Sequence, residues 1–175
     1  MANPHELSQT VSLTNGHSYD IFLSFRGVDT RYNFTNHLHK ALLDANIETF
    51  LDEVIAYGED LRPELETAIR SSRASIVVFS ENYASSRWCL NELVWILEQQ
   101  KNSDHRIIPV FYHVNPADIK DLQGSFGDAF AKHRQKIEDE RNPEIRSQLV
   151  SKMKLWREAL VKVAGLKGHD VDDKK

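Results

Sequence analysis

Apolar residues along this chain follow two periods, and their alternation predicts the architecture. Four short stretches, YDIFLSF from Tyr19, IETFLD from Ile47, SIVVFS from Ser75 and RIIPVFY from Arg106, are nearly unbroken in Ile, Val, Leu and Phe and fit strand length. Unbroken rather than alternating hydrophobicity predicts strands covered on both faces. Between these runs the apolar residues recur at helical spacing. TRYNFTNHLHKALLDAN carries Phe34, Leu38, Ala41 and Leu42 on one face, with Asp29 or Thr30 placed to cap its start and Asn46 as a left-handed stop. RPELETAIRSS opens on Pro63, where a missing N–H costs nothing, and turns Leu65 and Ile69 inward. SSRWCLNELVWILEQQ, residues 85–100, forms an apolar stripe from Cys89, Leu90, Leu93, Val94, Ile96 and Leu97. GSFGDAFAKHRQ and SKMKLWREALVKVAG read as two further helices. The last is expected to turn Leu155, Trp156, Ala159, Leu160 and Val163 inward and to end near Gly165.

Strand alternating with helix predicts a doubly wound α/β domain: a parallel sheet of four to five strands in flavodoxin-like order, flanked by helices and joined by right-handed crossovers. A fifth strand is expected between about Asp118 and Gly124. Residues 1–17 are polar and without period and read as a flexible leader; 18–168 read as the domain, and 169–175 as a flexible tail. KIEDERNPEIRSQ, before the last helix, reads as a charged surface connection.

Composition narrows the function classes. At 175 residues, 41% hydrophobic and 27% charged, the chain fits one globular domain with a sizeable core. A formal net charge of −4 makes nucleic acid an unlikely partner, because phosphate binding draws on clustered Lys and Arg. With Cys89 the single cysteine, and without the apolar core of a secretory signal, a reducing, cytosolic setting is expected. No apolar run reaches the roughly 20 residues of a membrane span.

In open α/β sheets ligands sit beyond the carboxyl ends of the strands, where the strand order reverses. In the expected order that crevice lies between the loop after the first strand, SFRGVDT, and the segment after the third, SENYASSRW, which leads into the helix of residues 85–100. Trp88, Glu92, Trp95 and Gln99 follow at steps of four, three and four, which assigns them to a helix side roughly opposite the apolar stripe. Trp88 and Glu92 would then border the crevice with Arg26 and Gly27. Singly each has an ordinary explanation: a solvated carboxylate, a packing residue, an ion pair, a turn glycine. Their convergence marks the crevice. Neither GxGxxG nor GxxxxGK[ST] follows the first strand, which removes dinucleotide-fold and P-loop readings, and no GxSxG elbow occurs. The first and third strands end without the acidic residues of a phosphate-accepting receiver. No metal site is expected, since His37 and His39 point different ways on one helix. Cys89, on the core-facing edge, is a poor nucleophile candidate.

YDIFLSFRGVDTRYNFTNHLHKAL, GEDLRPELETAIRSSRASIVVFSENYASSRWCLNEL, IIPVFYHVNPADI, GSFGDAFAKH and KLWREAL together resemble the successive motifs of a plant-type Toll/interleukin-1 receptor (TIR) homology domain, over about residues 18–168. The resemblance implies the N-terminal module of an intracellular plant immune receptor, a domain that self-associates and hydrolyses NAD⁺ to nicotinamide and ADP-ribose or a cyclised relative. NAD⁺ would be substrate and no cofactor is implied. Glu92, in the pattern Trp88, Cys89, Leu90, Asn91, Glu92, matches the catalytic glutamate, which by resemblance contacts the ribose diol and stabilises oxocarbenium-like charge. Phe25, Arg26, Gly27 and Trp88 match the substrate-pocket lining. Tyr57 and Gly58, in DEVIAYGEDL, match a loop that gates the cleft. Homo-oligomerisation through TIR–TIR contacts would use the first helix, where Asn36-His37 replaces a more usual Ser-His pair, and a second face that includes Gly168. Trp95 stands where the family more often has a polar residue, which suggests either an added contact patch or a larger pocket wall. The family implies a cytoplasmic location, with the nucleus as a second compartment. The alternative is a non-catalytic scaffold that signals by TIR–TIR contact; chemistry on nucleic acid is disfavoured by the charge balance.

Overall fold

In the computed structural model of the chain, residues 18–30, 34–51 and 62–171 are described. Strand β1 spans Tyr19–Ser24, helix α1 Gly27–Thr30, α2 Asn36–Asp44 and β2 Thr49–Leu51. Helix α3 follows at Arg62–Arg70, then β3 at Ser72–Phe79, a 3₁₀ turn at Tyr83–Ser85 and α4 at Arg87–Asn102. The chain continues through β4 at Arg106–Tyr112, α5 at Pro116–Lys120, α6 at Gly124–Asp139, α7 at Pro143–Ala164 and β5 at His169–Val171.

The five strands pair in parallel in the order β2-β1-β3-β4-β5, the flavodoxin-like arrangement. The unbroken apolar runs have a direct cause: successive residues of a strand face opposite sides, and both sides are cores. Val77 and Phe79 of β3 join a larger core with Leu65 and Ile69 of α3, Leu90 and Leu93 of α4, Phe126 of α6 and Trp156 of α7. Ile76 and Val78 join a smaller core on the other side with Leu23 and Phe25, against which Phe34, Leu38 and Leu42 pack. Ser24 sits opposite Val77, so β1 and β3 end side by side at the point where the connections diverge, from β1 toward β2 and from β3 toward β4.

Local chemistry sets three helix ends, of which Asn46 is the one expected from the sequence. Ser86 caps α4, its hydroxyl accepting from the Cys89 amide at 3.1 Å. Asn46, with φ of 62°, terminates α2 in the left-handed region. Asn142 caps α7, accepting from the amides of Glu144 and Ile145, with Pro143 in the first turn.

Four expectations are corrected. The fifth strand is not at 118–124: Ile119 and Leu122 are spaced for a helical turn, Ile119 is buried beneath α5, and Leu122 and Gly124 take positive φ. It is instead His169–Val171, in the stretch read as tail, pairing with Val110, Phe111 and Tyr112. The segment 136–148 is not a loop but the end of α6, a short break at 140–142 and the start of α7. Leu155 does not face inward with Trp156, Ala159, Leu160 and Val163; it is 47% exposed. Asp29 and Thr30 belong to α1 rather than capping α2, whose flanking residue is Thr35. The leader 1–17 lies outside the described residues.

Candidate active site

Beyond the ends of β1 and β3 the chain builds a compact polar cluster. Ser24 is the last residue of β1; Glu92 stands in the second turn of α4; Tyr83 opens the 3₁₀ turn between β3 and α4. All three are buried, Glu92 to 1% exposure. The Ser24 hydroxyl donates to Glu92 Oε1 at 2.9 Å and lies 2.9 Å from the Tyr83 hydroxyl. Tyr83 donates to the carbonyl of Cys89 at 3.2 Å. Cys89 Sγ approaches the Phe25 carbonyl at 3.6 Å, joining α4 to the residue that follows β1.

Placement of Glu92 corrects the sequence expectation. Steps of four and three do bring Trp88, Glu92 and Trp95 to one side, but at about 100° per residue Glu92 lies only about 40° from Ile96 and about 60° from Cys89. It is the last position of the buried stripe rather than the first of an outward face. Trp88, Trp95 and Gln99 are half-buried, while Glu92 is enclosed with Cys89, Leu90, Leu93 and Ile96. Burying those three aliphatic side chains yields about 1.5–3 kcal/mol each, enough to offset the several kcal/mol that enclosing a carboxylate costs.

Burial raises the Tyr83 phenol well above its ordinary value; the nearby Cys89 and Glu92 push it further up, and the Ser24 hydrogen bond pulls the other way. At neutral pH this phenol is therefore a hydrogen-bond donor, not an anion.

A second set of contacts ties the two crevice loops together. Asp29 accepts from Arg26 Nη1 at 2.9 Å, from the Ser80 hydroxyl at 2.6 Å and from the Asn82 amide at 3.0 Å. The loop after β1 is thus fastened to the loop after β3. Arg26 and Gly27 are half-buried at this junction, and Phe25 is buried in the smaller core while its carbonyl faces α4.

Trp88 lies elsewhere on α4. With Val94, Trp95, Glu98, Lys152 and Leu155 it lines a groove of about 300 Å³ between α4 and α7. Trp156 closes its base, donating to Asn91 Oδ1 at 2.9 Å. Trp95 and Trp88 thus share one groove.

His133 connects the two regions. Its Nε2 lies 2.8 Å from the Ala84 carbonyl in the 3₁₀ turn, a contact in which the ring N–H donates, and its ring meets Trp156 with centroids 5.2 Å apart. Burial lowers the His133 pKa from its ordinary 6.5; the Ala84 carbonyl opposes this, and Lys136 and Arg87 add to it.

Of the remaining expected site residues, Asn36 and His37 lie on the first turn of α2, both exposed. Gly168 is half-buried against β4: a Cβ there would lie 2.7 Å from Pro109 Cγ and would overlap the Pro109 carbonyl oxygen. The absence of a side chain at 168 therefore has a packing reason of its own. Tyr57 and Gly58 lie outside the described residues. Sequence reasoning missed Ser24, Tyr83 and Asp29 as site-building groups. Tyr83 carried a signal, as the one aromatic in the polar stretch SENYASS that borders the crevice. Among the described residues no three of His, Cys, Asp or Glu are grouped to hold a metal, and no helix is long and apolar enough to cross a membrane.

Similarities to known proteins place this geometry. The TIR domain family matches residues 18–175. The chain is 48% identical over 168 residues to disease resistance protein RPV1 of Vitis rotundifolia, covering 95% of this chain and 11% of that protein. It is 47% identical over 152 residues to TMV resistance protein N of Nicotiana glutinosa, covering 86% of this chain and 12% of the other. The chain thus spans about a tenth of the length of these relatives. Among solved structures, the TIR domains of the activated Roq1 resistosome, which directly recognises the pathogen effector XopQ, match with a TM-score of 0.75 and 43% identity over 89% of each chain.

Proposed function

The chain belongs to the TIR domain family, and on that premise we propose that it is a self-associating plant immune signalling domain that cleaves NAD⁺ at the nicotinamide glycosidic bond. Its similarity to plant disease resistance proteins and to a TIR domain of an assembled resistosome supports the signalling and self-association parts of the reading. The observation that carries the chemistry is the position of Glu92, a carboxyl held by the Ser24 hydroxyl at the β1/β3 switch point of the sheet.

In this reading Glu92 stabilises positive charge as the bond from the ribose to the pyridinium nitrogen breaks. The electron pair leaves with nicotinamide, and water, or a nucleophile within the ADP-ribosyl group, bonds to the ribose carbon. Preorganised charge of this kind supplies much of the rate enhancement in many enzymes, because a low-dielectric site strengthens it. Phe25, Arg26 and Gly27 line the substrate approach from β1, with Tyr57 and Gly58 in the gating loop, while Trp88, on the α4–α7 groove, stands apart from that approach. Asn36, His37 and Gly168 lie on the faces that join copies. The location is the cytoplasm or the nucleus.

A non-catalytic scaffold is the second reading, favoured by one observation: Glu92 is enclosed to 1% exposure. For the enzyme to act, the crevice must open, and assembly is the event that opens it. Nicotinamide release from NAD⁺ by concentrated protein under crowding separates the two. Release that rises steeply with concentration and vanishes in Glu92→Gln supports the enzyme. Self-association without release supports the scaffold.

A further inference from the structure

We propose that Ser24 and Tyr83 are positioning residues for Glu92: a hydroxyl pair that holds its carboxyl in one place whether or not it carries a proton. The kinetic consequence rests on the catalytic reading of Glu92; the structural claim stands without it.

Hydrogen-bond donors can be counted along the series Glu92, Ser24, Tyr83, Cys89 carbonyl, whose successive separations are 2.9, 2.9 and 3.2 Å. A hydroxyl donates one proton and accepts on its lone pairs; a carbonyl only accepts. With Glu92 ionised, Ser24 donates to it and Tyr83 donates toward Ser24 or the Cys89 carbonyl. With Glu92 protonated on Oε1, the order runs one way: Glu92 to Ser24, Ser24 to Tyr83, Tyr83 to the carbonyl; with the proton on Oε2, Ser24 keeps donating to Oε1. Every hydroxyl proton has an acceptor in both states, and no heavy atom has to move between them. A single hydroxyl without a second behind it would lack that freedom, since Ser24 would lose its acceptor when Oε1 itself took up the proton. A carboxyl beside developing positive charge benefits from such a mount, because reorganisation at the moment of reaction is what preorganised sites avoid.

Tyr83, from the 3₁₀ turn, stands within electrostatic reach of both Glu92 and Cys89. From β1 comes Ser24, which is neutral. The charged pair in the loop beyond β1, Arg26 with Asp29, is engaged with itself and with Ser80 and Asn82. Tyr83 is further fixed by its ring, edge-on to Phe79 with centroids 5.2 Å apart.

The test uses Tyr83→Phe and Ser24→Ala, each of which removes one oxygen from a fixed frame. Titration of the Glu92 carboxyl carbon by ¹³C NMR, with the resonance identified by its absence in Glu92→Gln, reads the mount directly. Loss of a donor that supports the anion is expected to raise the midpoint by about one unit, tenfold in proton affinity, in Ser24→Ala, and by less in Tyr83→Phe. In the assembled protein, kcat for nicotinamide release is expected to fall about ten- to a hundredfold with KM little changed. An unmoved midpoint in both variants overturns the proposal. A wild-type protein that releases no nicotinamide while the midpoints shift overturns the catalytic reading and leaves the mount standing. If Ser24→Ala does not fold, Tyr83→Phe carries both measurements.

Discussion

Two adjoining strips of α4 have opposite characters. One carries Cys89 and Glu92 into a dry cluster where each meets a hydroxyl or a carbonyl. The other carries Trp88, Asn91 and Trp95 onto a groove against α7 that Glu98 and Lys152 also line. A single Trp-x-x-x-Glu pattern therefore serves two environments, and its aromatic and acidic members need not act on the same molecule. His133 is the point where the two strips communicate, holding the turn that bears Tyr83 with one nitrogen and packing on Trp156 with its ring.

The contrast between the strips breaks most visibly at the base of the groove. Trp156→Ala removes a buried indole, the Asn91 hydrogen bond and the His133 contact at once, and is expected to cost about 3–5 kcal/mol in denaturant unfolding. Next comes the dry strip. Glu92→Ala leaves a void and removes one acceptor of the Ser24 hydroxyl, an expected loss of about 1–3 kcal/mol, whereas Glu92→Gln keeps volume and an acceptor and should cost less. Trp95→Ala, on the groove strip, should lose about 1 kcal/mol or less. If Glu92→Ala proves no more costly than Trp95→Ala, the strips do not differ as described.

Acidification sharpens the link between them. Since the His133 pKa is lowered in the folded protein, the unfolded chain binds the proton first; stability should be full above the ordinary value of 6.5 and fall as pH drops through it. Thermal midpoints measured from about pH 8 to about pH 5 should show that decline, and His133→Gln, which can still donate to Ala84, should flatten it. The smallest effect on the fold is expected at His37→Ala, on the first turn of α2: within about 0.5 kcal/mol in stability, with self-association and nicotinamide release falling together. Unchanged sedimentation and unchanged release would take that helix out of the contact between copies.

Much of this molecule was legible in the sequence where burial is two-sided. The runs at Tyr19, Ser75 and Arg106 show their strands because neighbouring residues enter different cores, and Asn46 marks a helix end through local chemistry alone. His169–Val171 was illegible for the opposite reason: its first two residues are polar and exposed, so nothing in its composition distinguishes it from a frayed end. Glu92 was found but misplaced, since a boundary position on a helical wheel is assigned by its partners, and Ser24 and Tyr83 are far from it in sequence. Asp29 was read as a helix cap because its loop-fastening partners, Ser80 and Asn82, become visible only in three dimensions.

Among the described residues the sheet is bounded by β2 and β5, three residues each. Over those residues the edges offer few unpaired amides and carbonyls to a visiting strand, and His169 and Asp170 place charge-bearing side chains along one of them. Copies brought to high local concentration are thereby discouraged from merging sheets into a fibre. An array formed through the helix and loop surfaces that remain can come apart again, as a reversible signal requires.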